Sequence, residues 1–325
     1  GSETKEELHF LSKEMASEPV RLAYNGLPAP KVTAAEKERS RELVMQWLQN
    51  VTGTRPDYLI THVTRPVISK GLWRDQRVLA HLEPLLKQER TSAAYVLLTC
   101  GAPIRTPGYP DLEGPEGEIW SAMLRLGPGG GEGGAASADG LNGNRERGAG
   151  APVVWNILVN QFGFSRERLG DAAPANMSVD DLRRAADAEL GLSVYEPFGI
   201  AMLEPLHAGA VCAVSSVCGC CGLVQRALKE LAIREGDCPL VLVGDFTGGA
   251  GRAGSGSVSP HALAQLTSAA RERVEEAECR RLASELFRRL PRGAEGRRGA
   301  LELGQRIAPR LSWDAVVESD FLPGL

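Results

Sequence analysis

The sequence predicts an α/β protein built on a mostly parallel sheet with helices on both faces. Three observations carry that expectation. Short apolar runs alternate along the chain with longer segments of helical period, the pattern of strands that need crossover helices in order to run parallel. Two of the runs, Ala93–Cys100 (AAYVLLTC) and Leu240–Asp245 (LVLVGD), are apolar at consecutive rather than alternate positions, as in strands covered on both sides. A chain of 325 residues with 43% hydrophobic content is also long enough to bury a large core, in one or two domains.

In order along the chain, Thr4–Met15 has helical periodicity, Val20–Tyr24 (VRLAY) reads as a strand and Asn25-Gly26 as a turn, and Pro28 and Pro30 mark an extended connector. Ala34–Asn50 is an amphipathic helix and Tyr58–Val63 a strand. Gly71–Gln88 is a helix that places Leu72, Leu79, Leu82 and Leu86 roughly on one face. Ala93–Cys100 is the next strand. Gly127–Gly150, dominated by Gly with Ala, Ser and Asn, has too little apolar surface to fold and reads as a flexible insertion. Val153–Phe162 resumes a strand-like run, Asp180–Ala186 is a short helix, and Ala188–Val194 (AELGLSV) and Val211–Val214 are buried strands flanking a loop and a helix. Leu223–Arg234 is helical, Leu240–Asp245 a strand and 248–259 a second flexible connector. Ala262–Leu290 and Gly299–Pro309 are helical, and Leu311–Asp320 is a closing helix.

Composition narrows the function. The net charge of −4 is mixed throughout, so no basic face for nucleic acid is expected and any polyanion contact is local. Seven cysteines and no leader-like opening suit a reduced, cytoplasmic compartment. Pro205–Gln225 carries no Asp, Glu, Lys or Arg, but its Gly, Ser and Cys content and the breaks at Pro205 and His207 fit a buried strand and helix start, so no transmembrane segment is expected. Cys218 and Cys221 form a C-x-x-C. Adjacent Cys220 and Cys221 would point apart on a helix, so buried thiols are expected there and no metal site.

The chemistry concentrates in Tyr195–Gly209 (YEPFGIAMLEPLHAG). Glu196 opens the loop after a strand, where ligands sit in open α/β sheets, and Glu204 follows eight positions on, on the first turns of a helix. A second signal is Arg65 and Lys70 in HVTRPVISKG, on one loop between a strand and a helix. A guanidinium fork and an ammonium there can hold two phosphates and stabilise them as they leave. The third is Ser215–Gly222, where glycines such as Gly219 permit close backbone approach and helix-start amides favour anions.

Glu196-x-Phe198-Gly199 followed by Glu204, with Arg65, four residues and Lys70-Gly71, resembles the retaining glycosyltransferases of the GT-B fold, especially the family-four type. The resemblance implies a Rossmann-like, C-terminal donor-binding domain whose first domain is largely absent. Residues 1–33 would be a remnant of that domain and the interdomain connector, and 34–325 the nucleotide-sugar domain with insertions 127–150 and 248–259. It implies a nucleotide-diphosphate sugar as co-substrate with no other cofactor, an unknown acceptor, and a fragment inactive alone. By resemblance, Glu196 lies near the hydroxyls of the transferred sugar, Arg65 and Lys70 hold the diphosphate, and Glu204 binds the ribose. Phe198, Gly199, Ile200 and Gly219 line the donor, and Met177 and Ser178 stand where the base-contacting backbone falls. Of the histidines, His207 is expected in packing and His62 is the better placed for donor contact. The chain departs from the pattern at Thr64, where Gly commonly precedes the Arg, at Pro205 after the second Glu, and at Ala210. Two other readings stand beside this one: a non-enzymatic nucleotide-sugar-binding or regulatory module, and a glycogen-synthase-like or epimerase enzyme on the same fold.

Overall fold

Six strands, β1 (Tyr58–Val63), β2 (Ala93–Thr99), β3 (Val154–Asn160), β4 (Ala188–Gly191), β5 (Val211–Ser215) and β6 (Val241–Gly244), form one parallel sheet in the order β3-β2-β1-β4-β5-β6. All six lie where the apolar runs of the sequence place them. In this computed structural model the described residues are 20–99, 153–160, 169–248 and 267–324, with Lys5, Leu8, His9, Leu11, Ser12 and Glu14 ahead of them. The insertion expected over 127–150 and nearly all of the connector 248–259 lie outside the described residues.

Among the described residues the α-helices include α1 (Ala34–Thr52), α2 (Leu72–Gln88), α3 (Val179–Ala185), α4 (Cys220–Glu230), α5 (Ser268–Arg289), α6 (Gly293–Ile307) and α7 (Trp313–Val316). Side chains alternate across the sheet, so each strand feeds two cores. Tyr58, Ile60, Tyr95, Leu97, Leu190, Ala213 and Leu242 meet α2 and α5 on one face. On the other, Leu59, Val96 and Val159 meet α1 and α3, while Cys212, Val214 and Val241 meet α4 and the carboxyl-terminal helices. Each such Val, Leu, Ile or Phe side chain contributes about 1.5–3 kcal/mol when fully buried, so both layers are needed to hold the sheet.

Local sequence sets the helix starts. Thr33 and Glu36 close a capping box on α1, and Ser178 and Asp181 close another on α3. α2 begins after Gly71, held at φ +62 with its α-carbon so near Leu192 that a Cβ would stand 2.6 Å from that carbonyl oxygen.

Four expectations are corrected. Val20–Tyr24 joins no ladder: the Tyr24 N–H donates to Asp320 Oδ2 at 3.1 Å, the Arg21 guanidinium donates to the Pro323 carbonyl at 2.7 Å and the Arg226 guanidinium of α4 lies over the Tyr24 ring, while a bridge of Leu27 to Ser312 follows the segment. Asn25-Gly26 forms no turn, and Gly26 instead lies against the Trp313 backbone, where a Cβ would stand 2.4 Å from it. The helix carrying Glu204 is a 3-10 segment, Ala201–Ala208, since Pro205 has no N–H to give an α-helical turn. The closing helix is one α turn, Trp313–Val316, continued by the wider π turn Val317–Phe321.

Candidate functional site

The chain runs outward from β1 through β2 to β3, returns to β4 beside β1, and continues to β6. Strand order reverses between β1 and β4. The carboxyl ends of these two strands border the position where open α/β sheets bind ligands, in a crevice at the reversal. Glu189 on β4 lies beside it, at the end of the β1–β4 pairing. Its buried carboxylate accepts the Val63 N–H at 2.9 Å and the Thr61 hydroxyl, taking the place of further strand pairing.

Two loops meet over this crevice and are joined by backbone. The carbonyl of Ser69, in the 3-10 turn Ile68–Lys70 after β1, accepts the N–H of Val194 at 2.8 Å and of Tyr195 at 3.2 Å from the loop after β4. Arg74 of α2, itself buried, donates to the carbonyls of Leu192 and Ser193 at 3.0 Å each and pairs with Glu275 of α5. The phosphate-binding candidates and the glutamate loop are thus one unit.

Lys70 and Glu196 are in direct contact: the ammonium donates to Glu196 Oε2. The other carboxylate oxygen accepts the N–H groups of Phe198 and Gly199, each at 3.2 Å, while the Glu196 carbonyl accepts the Gly219 N–H at 2.8 Å. The turn needs glycine at 199, where φ is +72 and a Cβ would stand 2.8 Å from Cys220 Sγ. Burial holds the Lys70 pKa below the ordinary lysine value, with the Arg65 charge pushing the same way and Cys218 opposing. Arg65 is exposed on the rim of the same loop. Phe198 is 61% exposed and shares a cavity of about 190 Å³ with Gly219, Arg21 and Tyr24, while Ile200 is half-buried behind it. A larger cleft of about 430 Å³ opens beside Ile68 and Val194 and is lined by Trp73, Arg74, Ser215 and Phe246.

Glu204 is held differently. Its Oε2 lies 2.7 Å from Arg183 Nη2 on α3, and that nitrogen also donates to the Ala201 carbonyl at 2.8 Å. The 3-10 segment ends at Ala208, whose carbonyl accepts from the buried Lys37 ammonium of α1 at 2.7 Å. Lys37 also reaches the carbonyls of Arg184 and Ala186, and burial pushes its pKa down to about 8.

Glu196, Lys70, Phe198, Gly199, Ile200 and Gly219 therefore converge, with Arg65 at their edge. Met177 and Ser178 do not join them by side chain. Met177 is buried in the core under α1, and the Ser178 hydroxyl and N–H are both spent on the Asp181 carboxylate as a helix cap. His62 points into the core: its Nδ1 lies 2.6 Å from Asp75, which also accepts the Tyr95 hydroxyl. His207 packs as expected, with Nδ1 2.5 Å from the Glu204 carbonyl and its pKa lowered by burial. Cys218, Cys220 and Cys221 are free buried thiols, and among the described residues no cluster of three His, Cys, Asp or Glu side chains could hold a metal ion. No described helix is long and apolar enough to cross a membrane.

Sequence reasoning missed Arg183 and Glu189. The signal was present: a glutamate in the apolar run AELG must find a buried cation, and Arg183 on the preceding helix is in reach.

No family model matches the sequence, and no match was found among the curated proteins. Solved structures of similar backbone include a sucrose-phosphate synthase from Thermosynechococcus elongatus, 14% identical, matched over 97% of this chain and 54% of its own with a TM-score of 0.49. Another is an α,α-trehalose-phosphate synthase (UDP-forming) from Burkholderia xenovorans in complex with glucose-6-phosphate, 14% identical over 92% of this chain and 51% of its own, TM-score 0.46. A third is WaaG, a glycosyltransferase involved in lipopolysaccharide biosynthesis, 16% identical over 91% and 55%, TM-score 0.39. The chain spans about half the length of these structures. At such identities and TM-scores the likeness carries no argument about chemistry, which rests on the side chains described above.

Proposed function

We propose that this chain is the donor-binding half of a retaining GT-B glycosyltransferase, using a nucleotide-diphosphate sugar. The observation that supports it is the Lys70–Glu196 contact at the β1–β4 reversal, with the two loops joined through Ser69 and Arg65 alongside. A lone charge pair on a surface would need none of that backbone support.

In this reading Arg65 and Lys70 take the diphosphate, and charge-assisted hydrogen bonds of that kind are the strong ones. When the bond from the anomeric carbon to the diphosphate oxygen breaks, both electrons leave with the oxygen. The new negative charge falls against the two cations while the acceptor hydroxyl attacks from the same face, losing its proton to the departing phosphate side. Glu196, fixed by the amides of Phe198 and Gly199, directs its carboxylate to the sugar hydroxyls. Glu204 accepts from the ribose hydroxyls. A preceding acceptor-binding domain closes the cleft and excludes water, so the chain by itself binds donor without transferring sugar.

The test is thermal unfolding of the full chain with UDP-, GDP- and ADP-sugars at millimolar concentration. A rise in midpoint with one nucleotide is expected, because a ligand that binds only the folded state stabilises it. No shift with any of them would remove the donor-site reading, and sugar transfer at a normal rate by this chain would remove the claim of a separate acceptor domain.

A further inference from the structure

A carboxylate on a short 3-10 segment, 37% exposed, has no direction of its own. Arg183 supplies one. Its guanidinium is forked, with Nη2 on Glu204 Oε2 at 2.7 Å and on the Ala201 carbonyl at 2.8 Å, and Nη1 2.9 Å from Glu189 Oε2. The Arg183 side chain is only 8% exposed and that of Glu189 is fully buried, so the path leads from the sheet interior to the partly exposed Glu204. Glu189 in turn is fixed by the Val63 N–H and the Thr61 hydroxyl at the end of β1. Burial works against a charged guanidinium, yet the two carboxylates hold its pKa above the ordinary arginine value.

A merely structural ion pair would need one carboxylate. Arg183 serves two, one in the interior and one partly exposed, and it binds both the side chain of Glu204 and the first carbonyl of the segment that carries it. We propose that Arg183 is a positioning residue that fixes Glu204 to bind a vicinal diol, with Glu189 as its buried counter-charge. With Oε2 engaged by Arg183, Oε1 is the oxygen turned to ligand, so the site selects ribonucleotides over their 2′-deoxy forms. The proposal rests on the reading of Glu204 as the ribose ligand.

The experiment is calorimetric binding of UDP, GDP and ADP, each against its 2′-deoxy form, to the full chain and to two variants. The wild type should favour the ribo form of its best binder by about tenfold or more, the worth of one charge-assisted hydrogen bond. Arg183→Met with Glu189→Gln removes both buried charges while leaving an acceptor for the Val63 N–H. It should fold, bring the ribo/deoxy ratio close to one, and keep the preference for diphosphate over monophosphate set by Arg65 and Lys70. Arg183→Lys keeps a cation against Glu189 but cannot fork; its ratio should fall too, and it decides the matter if the double variant does not fold. An unchanged ratio in a folded variant overturns the positioning role and leaves the ribose reading intact. A ratio near one in the wild type overturns the ribose reading, and the positioning role with it.

Discussion

Glu196 and Glu204 are the same residue type eight positions apart, and the fold holds them in opposite ways. Glu196 is 9% exposed, is fixed by amides of its own turn, and takes its cation from a neighbouring loop in Lys70. Glu204 is more exposed and takes its cation from below, from Arg183, which is itself neutralised by Glu189. The difference lies in what each can exchange. In the proposed reading Lys70 turns to a phosphate while the backbone still holds Glu196. Arg183 cannot leave, because an unpaired Glu189 would remain in the sheet interior, at a cost far above the gain from any surface contact.

The largest effect should come from breaking the buried side of this comparison. Arg183→Met alone strands the Glu189 charge and should destabilise the chain by about 3–5 kcal/mol in denaturant unfolding, whereas Glu196→Gln should cost about 1 kcal/mol or less. Adding Glu189→Gln to Arg183→Met should restore most of the loss. Equal effects of the two single substitutions would erase the distinction between the carboxylates.

Lys37 sharpens it, since the Glu204 segment ends on this second buried cation. Its folded pKa, about 8, lies below the 10.5 of an ordinary lysine, so between those values the unfolded chain binds more protons than the folded one. Stability therefore rises with pH across that window, by up to about 3 kcal/mol, and the contribution is lost again as pH falls through 8. The measurement is the difference in unfolding free energy between wild type and Lys37→Met from pH 7 to 10.5. A pH-independent difference would show that folding does not lower the Lys37 pKa.

Gly199→Ala attacks the other side. Positive φ and the approach to Cys220 should cost about 2 kcal/mol of stability. The amides that hold Glu196 would shift with it, so diphosphate affinity should fall in the same variant, while Gly53→Ala, also at positive φ but with open space around it, should cost stability alone. The smallest effect in free energy is the exchange itself. Lys70→Ala should weaken nucleoside diphosphate binding by at least tenfold, about 1.4 kcal/mol, and monophosphate binding less. Equal losses for the two would mean that Lys70 serves Glu196 and not a phosphate.

Much of this was legible in the chain. The strands β1 to β6 follow from apolar runs, and Glu196, Lys70 and Gly219 converge as their loop positions after β4, β1 and β5 require. The cap at Ser178 was legible too: Ser178 with Asp181 three positions on is a helix-start signature, so its hydroxyl is spent on the cap and only backbone is left for the base contact that the resemblance implies. Val20–Tyr24 has strand composition, but its hydrogen bonds go to Asp320 and Pro323 of the carboxyl-terminal turns and not to a strand.

The sequence by itself determined the periodicities, hence the layers of the fold, and the residue types at each strand end, hence the chemistry offered at the crevice. These are local properties, set by side-chain volume, polarity and spacing. Only the tertiary structure decided which cation meets which carboxylate. Lys70 lies 126 positions from Glu196, and Arg183 stands between Glu189 and Glu204 from a different element than either. Such pairings depend on the register of β1 against β4 and on the angle at which α3 packs, and burial, which no local pattern fixes, is what makes one pair exchangeable and the other permanent.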